Sequence, residues 1–163
     1  IPILLCAQGL QCRIMAADLS VNMLEIARLN IEIAGLIEHI QLAQMDAKQL
    51  PSPDDYFDMV ICNGMLHHLP DPAVAIAQAV RVTKPGGLLF FRDLMRPADE
   101  ETLRALVQRY AGEENEQQQQ MFADSLCAGF TLDEMAAVVS QLGFAPDTVQ
   151  ATSDRHWTWT ATK

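Results

Sequence analysis

The strongest constraint on the fold lies between Asp58 and Leu69, where the chain reads Asp-Met-Val-Ile-Cys-Asn-Gly-Met-Leu-His-His-Leu. Met59, Val60, Ile61 and Cys62 form a short unbroken apolar run, β-branched at its centre. A strand with one face in water alternates apolar and polar residues. A run that is apolar on both faces predicts a strand covered by helices above and below. The apolar character then breaks off at Asn63, Gly64, His67 and His68. Open α/β sheets hold their ligands just beyond the carboxyl ends of the strands, so the run predicts structure and the residues after it predict chemistry.

The next segment extends the same pattern. Asp71-Pro72 starts a helix, with Pro72 in the first turn where its missing N–H costs nothing, and Val74, Ala75, Ala79 and Val82 recur at helical spacing. Lys84-Pro85-Gly86-Gly87 ends that helix, and Leu88-Leu89-Phe90-Phe91 predicts a second buried strand. Strand, helix and strand make a βαβ unit, which is parallel and almost always right-handed.

Upstream, residues 1 to 9 predict a helix ended by Gly9, and Arg13 to Ala17 a short buried strand closed by Asp18-Leu19-Ser20. Ser20 is placed to cap a helix whose inward face is Met23, Leu24, Ala27, Ile31 and Ala34, with Gly35 ending it. Ile40, Leu42 and Met45, separated by Gln41 and Gln44, predict a less buried strand near a sheet edge, ending at Asp46-Ala47. Downstream, Leu103, Leu106, Val107 and Tyr110 share one helix face, and residues 112 to 120 are a polar, low-complexity stretch read as a solvated loop or helix surface. Thr131 and Glu134 have capping-box spacing and Phe130 and Met135 staple spacing, so a helix should start there and run to Leu142 before Gly143. Trp157, Trp159 and Ala161 alternate with threonines, the pattern of a half-exposed hairpin strand paired with the segment from Asp147 to Thr152.

Size and charge bound the function. The chain has 163 residues, enough for one domain with a sizeable core. Its 21 acidic against 11 basic residues give a formal net charge of −10, which repels phosphate backbones and anionic membranes, so nucleic acid is a poor partner. No apolar run approaches the ~20 residues a bilayer requires. Cys6, Cys12, Cys62 and Cys127 show neither CxxC nor zinc-ligand spacing, and read as reduced thiols of a cytoplasmic protein with no metal site. Oligomeric state is left open by the pattern.

Three predicted strands end in an isolated polar residue: Asp18, Asp46 and Asn63. A carboxylate at one such end can accept both hydroxyls of a ribose, and one at the next can accept an exocyclic adenine amine. Backbone groups around Asn63 and Gly64 can meet an amino-acid moiety. The plainer reading of either aspartate is an Asx turn. Three polar ends at one sheet edge favour a nucleoside site.

These residues carry a family resemblance. Ala17-Asp18-Leu19-Ser20 followed by Met23-Leu24-Glu25-Ile26-Ala27-Arg28 resembles the second-strand motif of class I S-adenosylmethionine-dependent methyltransferases. Met45-Asp46-Ala47-Lys48-Gln49-Leu50-Pro51 is similar to their third-strand motif, and Phe57 to Asn63 with Leu66-His67-His68-Leu69 to their fourth. Val82-Thr83-Lys84-Pro85-Gly86-Gly87 resembles the turn before their fifth strand. The resemblance covers roughly residues 1 to 97 and implies a Rossmann-like α/β fold. That is a doubly wound, mostly parallel sheet in three layers, ending in an antiparallel hairpin. It implies a single domain, with residues 1–97 binding cofactor, 98–130 covering substrate, and 131–163 forming the last helix and hairpin. It further implies S-adenosylmethionine as cofactor and a small-molecule methyl acceptor. Asp18 would hold the ribose diol with Leu19 and Met23 near the adenine, Asp46 the adenine amine with Ala47 beside it, and Asn63 with Gly64 would approach the methionine part. The family's first strand and glycine-rich loop have no counterpart, and residues 1 to 9 look like the helix that follows that loop. The expectation is therefore an N-terminal truncation, with residues 1 to 163 alone of marginal stability and poor cofactor affinity.

Methyl transfer needs alignment, exclusion of water and, for an acceptor that must lose a proton, a base. His67, His68 and Asp93 are the candidates, and each histidine also reads as a locally bonded turn residue. His156, beside Trp157, reads as structural. Arg92 and Arg96 can steer an anion or pair with Asp93 and Asp99. Two other functions compete. A nicotinamide-dependent oxidoreductase would also use Asp18, but it leaves Asp46-Ala47 unexplained and lacks a Tyr-x-x-x-Lys pair. A non-catalytic Rossmann-like binding or scaffold domain would keep the fold alone.

Overall fold

The computed structural model describes residues 1–9 and 12–163. Their contacts divide into two compact units, Ile1–Pro51 and Ser52–Lys163. The architecture is α/β, with parallel and antiparallel strand pairs as the sequence predicts.

The first unit contains helix α1 (Pro2–Ala7), strand β1 (Ile14–Asp18), helix α2 (Val21–Ile33) and strand β2 (Ile40–Gln44). β1 and β2 pair parallel in the register Ile14↔Ile40 to Asp18↔Gln44. Ser20 caps α2 by accepting from the Met23 N–H, and Gly35, at φ +68°, ends it. Only Ile31 of α2 is fully buried, with Leu24 and Ala27 half-buried along the same stripe. Met23 and Ala34, expected on that inward face, are exposed because both lie on the flank of the Leu24–Ala27–Ile31 stripe.

The second unit opens with β3 (Phe57–Asn63) and a 3₁₀ turn (Leu66–His68), followed by α3 (Pro72–Val82) and β4 (Thr83–Leu94). Three helices follow, α4 (Glu100–Ala111), α5 (Glu116–Ala128) and α6 (Leu132–Gln141), and then the hairpin β5 (Val149–Ser153) and β6 (His156–Thr162). The sheet order is β3-β4-β6-β5, with β3 parallel to β4 and the other two pairs antiparallel. β3 is thus an edge strand of its sheet. None of its residues is fully buried and Met59 stays 47% exposed, which corrects the expectation of burial on both faces. β4 lies inside the sheet and carries the alternation instead. Leu89, Phe91 and Asp93 are buried, while Leu88, Phe90, Arg92 and Leu94 are partly exposed. Trp159 and Trp157 of β6 stand opposite Phe91 and Asp93.

The turn Lys84–Gly87 bulges out of the β3–β4 ladder, whose register jumps from Phe57↔Thr83 to Met59↔Leu88. Gly86 takes φ +80°, and a Cβ on Gly87 would sit 2.9 Å from the carbonyl oxygens of Asp58 and Lys84, so both glycines are required. α3 packs through Pro72, Ala75, Ile76, Ala79 and Val82. Val74, expected on that face, is 42% exposed because it lies two residues, roughly 200° of helix rotation, from Ile76.

The polar stretch from 112 to 120 becomes the entrance to α5, where Asn115 and Gln118 form a reciprocal capping box. At α6 the predicted box is present, with the Glu134 N–H donating to Thr131 Oγ1 (3.2 Å) and the Thr131 N–H to Glu134 Oε2 (2.8 Å). Thr131→Ala should therefore destabilise the protein by ~0.5–2 kcal/mol without changing cofactor affinity. A thermal melt compared with S-adenosylhomocysteine calorimetry checks both halves. An unmoved midpoint would mean that this cap contributes nothing.

Candidate active site

In the first unit, parallel pairing sets the carboxyl ends of β1 and β2 side by side. The Asp18 carbonyl accepts the Met45 N–H (3.1 Å), directing the chain into Asp46. Each aspartate forms the Asx turn expected of it: Asp18 Oδ1 accepts the Ser20 N–H (2.8 Å) and Asp46 Oδ1 the Lys48 N–H (2.9 Å). Lys48 Nζ also lies 3.0 Å from Asp46 Oδ1. Hydrogen bonds from the Lys48 backbone and side chain hold the Asp46 carboxyl below the usual carboxylate range. Both turns use Oδ1, and among the described residues Oδ2 of each aspartate carries no hydrogen bond. Leu19 and Met23 are 58% and 52% exposed beside Asp18, and Ala47 is half-buried next to Asp46. Two anionic acceptors flanked by bare apolar side chains fit a nucleoside, whose diol and amine donate and whose base is flat and apolar.

In the second unit, Asn63 closes β3 opposite Arg92. Gly64, at φ +69°, turns the chain out of the sheet and donates its N–H to the Arg92 carbonyl (2.9 Å). The 3₁₀ turn that follows is anchored on one carboxylate. Asp93 is 1% exposed, and its Oδ2 accepts the Leu66 N–H at 2.6 Å. Its Oδ1 accepts the Leu94 N–H at 2.7 Å and lies 2.6 Å from His67 Nδ1. Burial pushes the Asp93 carboxyl up, but the hydrogen bond from His67, those from the Leu94 and Leu66 N–H groups, and the charge on His67 together bring it below the usual range. Burial, aided by the Asp93 charge, pushes the neighbouring Cys62 thiol up to about 12, so that thiol stays protonated.

The structure thus joins two of the three candidate bases, His67 and Asp93. His68 is exposed and meets them only through its ring, 3.9 Å from that of His67 and tilted by 43°. Neither arginine pairs with Asp93 or Asp99, the acids named from sequence. Arg92 Nη2 lies 3.2 Å from His156 Nδ1, which also meets Ser153 Oγ at 2.8 Å, and Arg96 binds the Gly129 carbonyl and Glu134. Asp99 caps α4, and Asp93 is enclosed by the three partners above. His156 is held by Ser153 and Arg92, and burial and then the charges of Arg92 and Arg155 lower its pKa. The partnering of Asp93 did have a sequence signal. It stands two and four residues after Phe91 and Leu89, in phase with the buried face of β4, and a buried carboxylate requires donors.

Comparison with known proteins agrees with this geometry. Residues 2–91 match a family model described as a methyltransferase domain. The chain is 34% identical over 89 residues to the ubiquinone/menaquinone biosynthesis C-methyltransferase UbiE of Francisella philomiragia, a match spanning 55% of this chain and 36% of that protein. It is also 34% identical over 102 residues to a ubiquinone biosynthesis O-methyltransferase of Thiobacillus denitrificans, spanning 63% of this chain and 44% of that one. These matches therefore cover less than half the length of the relatives. A crystal structure from Bacillus halodurans, described as a candidate methyltransferase, superposes with a TM-score of 0.62 at 27% identity, over 85% of this chain and 55% of that one. Strand-end acids, motif order and matched family model converge: the chain belongs to the methyltransferase-domain family, the class I S-adenosylmethionine-dependent methyltransferases.

Proposed function

We propose that this chain binds S-adenosylmethionine and takes part in methyl transfer to a small-molecule acceptor. The observation that carries the reading is the pair of carboxylates at the adjoining ends of β1 and β2, each held by its own Asx turn with Oδ2 left over. Asp18 accepts the ribose hydroxyls, and Leu19 and Met23 pack near the adenine. Asp46, beside Ala47, accepts the adenine amine. In the second unit, Asn63 and Gly64 offer polar and backbone groups to the methionine part. Bound S-adenosylmethionine supplies a methyl group on a sulfonium centre, open to direct displacement. The protein's task is then to align the acceptor and keep water away. Residues 98–130 serve as the substrate-covering part of a single domain. A cytoplasmic setting belongs to this reading, consistent with four unpaired cysteines, and the net charge of −10 argues against nucleic acid as the acceptor. Among the described residues no helix is long and apolar enough to cross a membrane.

In a full-length form, Asp18→Ala should weaken S-adenosylhomocysteine binding by ~1.5–3 kcal/mol, the range for hydrogen bonds to charged groups, while the far-UV circular dichroism barely changes. Calorimetry on the folded variant decides the matter. Unaltered affinity there would remove Asp18 from the site.

A further inference from the structure

We propose that Arg92, backed by His156, forms a site within the second unit for the carboxylate of a ligand with an apolar body. The site stands independently of the cofactor reading above.

The argument starts from the counterions. Among the described residues, Arg13 and Arg92 are the basic side chains with no carboxylate at salt-bridge distance. Arg13 is exposed just before β1, where water solvates its charge. Arg92 is half-buried on the interior strand β4, in a chain with 21 acidic residues to choose from. A charge in such a position calls for a partner. The nearest acids in sequence are committed elsewhere. Asp93 lies on the opposite, buried face of β4 and is taken by Leu66, His67 and Leu94. Asp154 accepts from Arg109 Nη1 at 2.9 Å and from the Tyr110 hydroxyl at 2.8 Å. Arg155 is occupied as well, 3.7 Å from Asp154 and stacked 3.4 Å over the Tyr110 ring.

What Arg92 meets instead is a neutral ring. Its Nη2 lies 3.2 Å from His156 Nδ1, and a guanidinium can only donate, so Nδ1 is the acceptor and the ring hydrogen sits on Nε2. Ser153 Oγ, 2.8 Å from the same nitrogen, accepts the Arg155 N–H and donates its own hydrogen to Nδ1. Arg92 Nε and Nη1 and His156 Nε2 have no partner among the described residues. No side-chain nitrogen or oxygen there is buried without one, so these donors open to solvent. The result is a set of donors carrying one positive charge. A carboxylate matches both that charge and the planar fork, whereas a phosphate monoester brings a charge of about −1.5 to −2. Phe90 and Leu94 flank Arg92 on the same face of β4 and are partly exposed, which supplies the contact for an apolar body.

The test titrates benzoate, benzamide and phenyl phosphate into a full-length form, followed by calorimetry and by nitrogen-15 NMR of His156. Benzoate should bind and benzamide, the same shape without the charge, should not. Arg92→Gln should weaken benzoate by ~10–100-fold, and Arg92→Lys, which keeps the charge but loses the fork, by less. The charged groups facing His156 are Arg92 and Arg155, which lower its pKa, and Asp93 and Asp154, which raise it. A seated carboxylate offsets the two arginines, so saturating benzoate should move the His156 titration upward in wild type and leave it unmoved in Arg92→Gln. Equal affinity for benzoate and benzamide, or a wild-type His156 titration indifferent to benzoate, overturns the proposal without any variant. Unchanged benzoate affinity in a folded Arg92→Gln overturns the role of Arg92, and a preference for phenyl phosphate overturns the carboxylate class. Loss of benzoate binding in the presence of S-adenosylhomocysteine would assign the donors to the cofactor's own carboxylate and overturn the separate ligand.

Discussion

Asp93→Ala should cost the protein about 3–5 kcal/mol, the range for removing one partner of a buried charged pair. The Leu66 and Leu94 N–H groups and His67 Nδ1 all lose their acceptor at once, at a position that is 1% exposed. Urea unfolding followed by far-UV circular dichroism measures the loss, and Asp93→Asn, which keeps one oxygen acceptor, should lose less. The pH dependence has a definite sign. The folded-state carboxyl titrates below its ordinary value of ~3.9, so its contribution is complete above that value and disappears as pH falls through the folded-state pKa. The difference between wild type and Asp93→Asn should therefore narrow as pH falls below about 4. A difference that grows on acidification would reverse the assignment of Asp93 as the ionised partner.

Trp159→Ala is expected to have an effect of similar size, about 3–5 kcal/mol, for a different reason. Trp159 is fully buried on β6, with its ring centroid 5.3 Å from Phe91 and 5.2 Å from Phe144. Its Nε1 donates to Thr148 Oγ1 at 3.1 Å, tying the strand to the turn that leads into β5. Truncation leaves a large cavity beside Phe91 and Phe144 and removes the indole donor from Thr148 Oγ1, while Trp159→Phe should recover part of the loss. Guanidinium unfolding monitored at 222 nm gives the comparison. A loss below ~1 kcal/mol would mean that the aromatic cluster is not part of the core.

The two substitutions also separate what was legible in the chain from what was not. Elements set by short-range chemistry could be read directly. The Thr131–Glu134 box, the Ser20 cap, Pro72 in a first turn and Gly35 and Gly143 after helix ends each involve partners within four residues, and all are present. The strand-end positions of Asp18, Asp46 and Asn63 were legible for the same reason, since each marks an abrupt break in a local apolar pattern. The family and its cofactor were legible in the order of four local motifs. Errors arose where a neighbour distant in sequence decides the outcome. Met59 was expected to be buried on the strength of its run, but β3 has one ladder partner in its sheet and the side chain stays 47% exposed. Arg96 was expected near Asp99 and binds Glu134, 38 residues away.

The same division holds at the site. By itself the sequence determined that acids end the first two predicted strands and that two histidines follow β3. Periodicity and local hydrogen bonding suffice for those conclusions. Only the tertiary structure decided between the histidines. Leu66 and His67 are brought to Asp93 from 27 and 26 residues away, by the parallel register that sets Asn63 against Arg92. No local propensity encodes that contact. It exists because β3 and β4 pair in one register, and because a carboxylate buried by that pairing must find its donors in the turn lying across it.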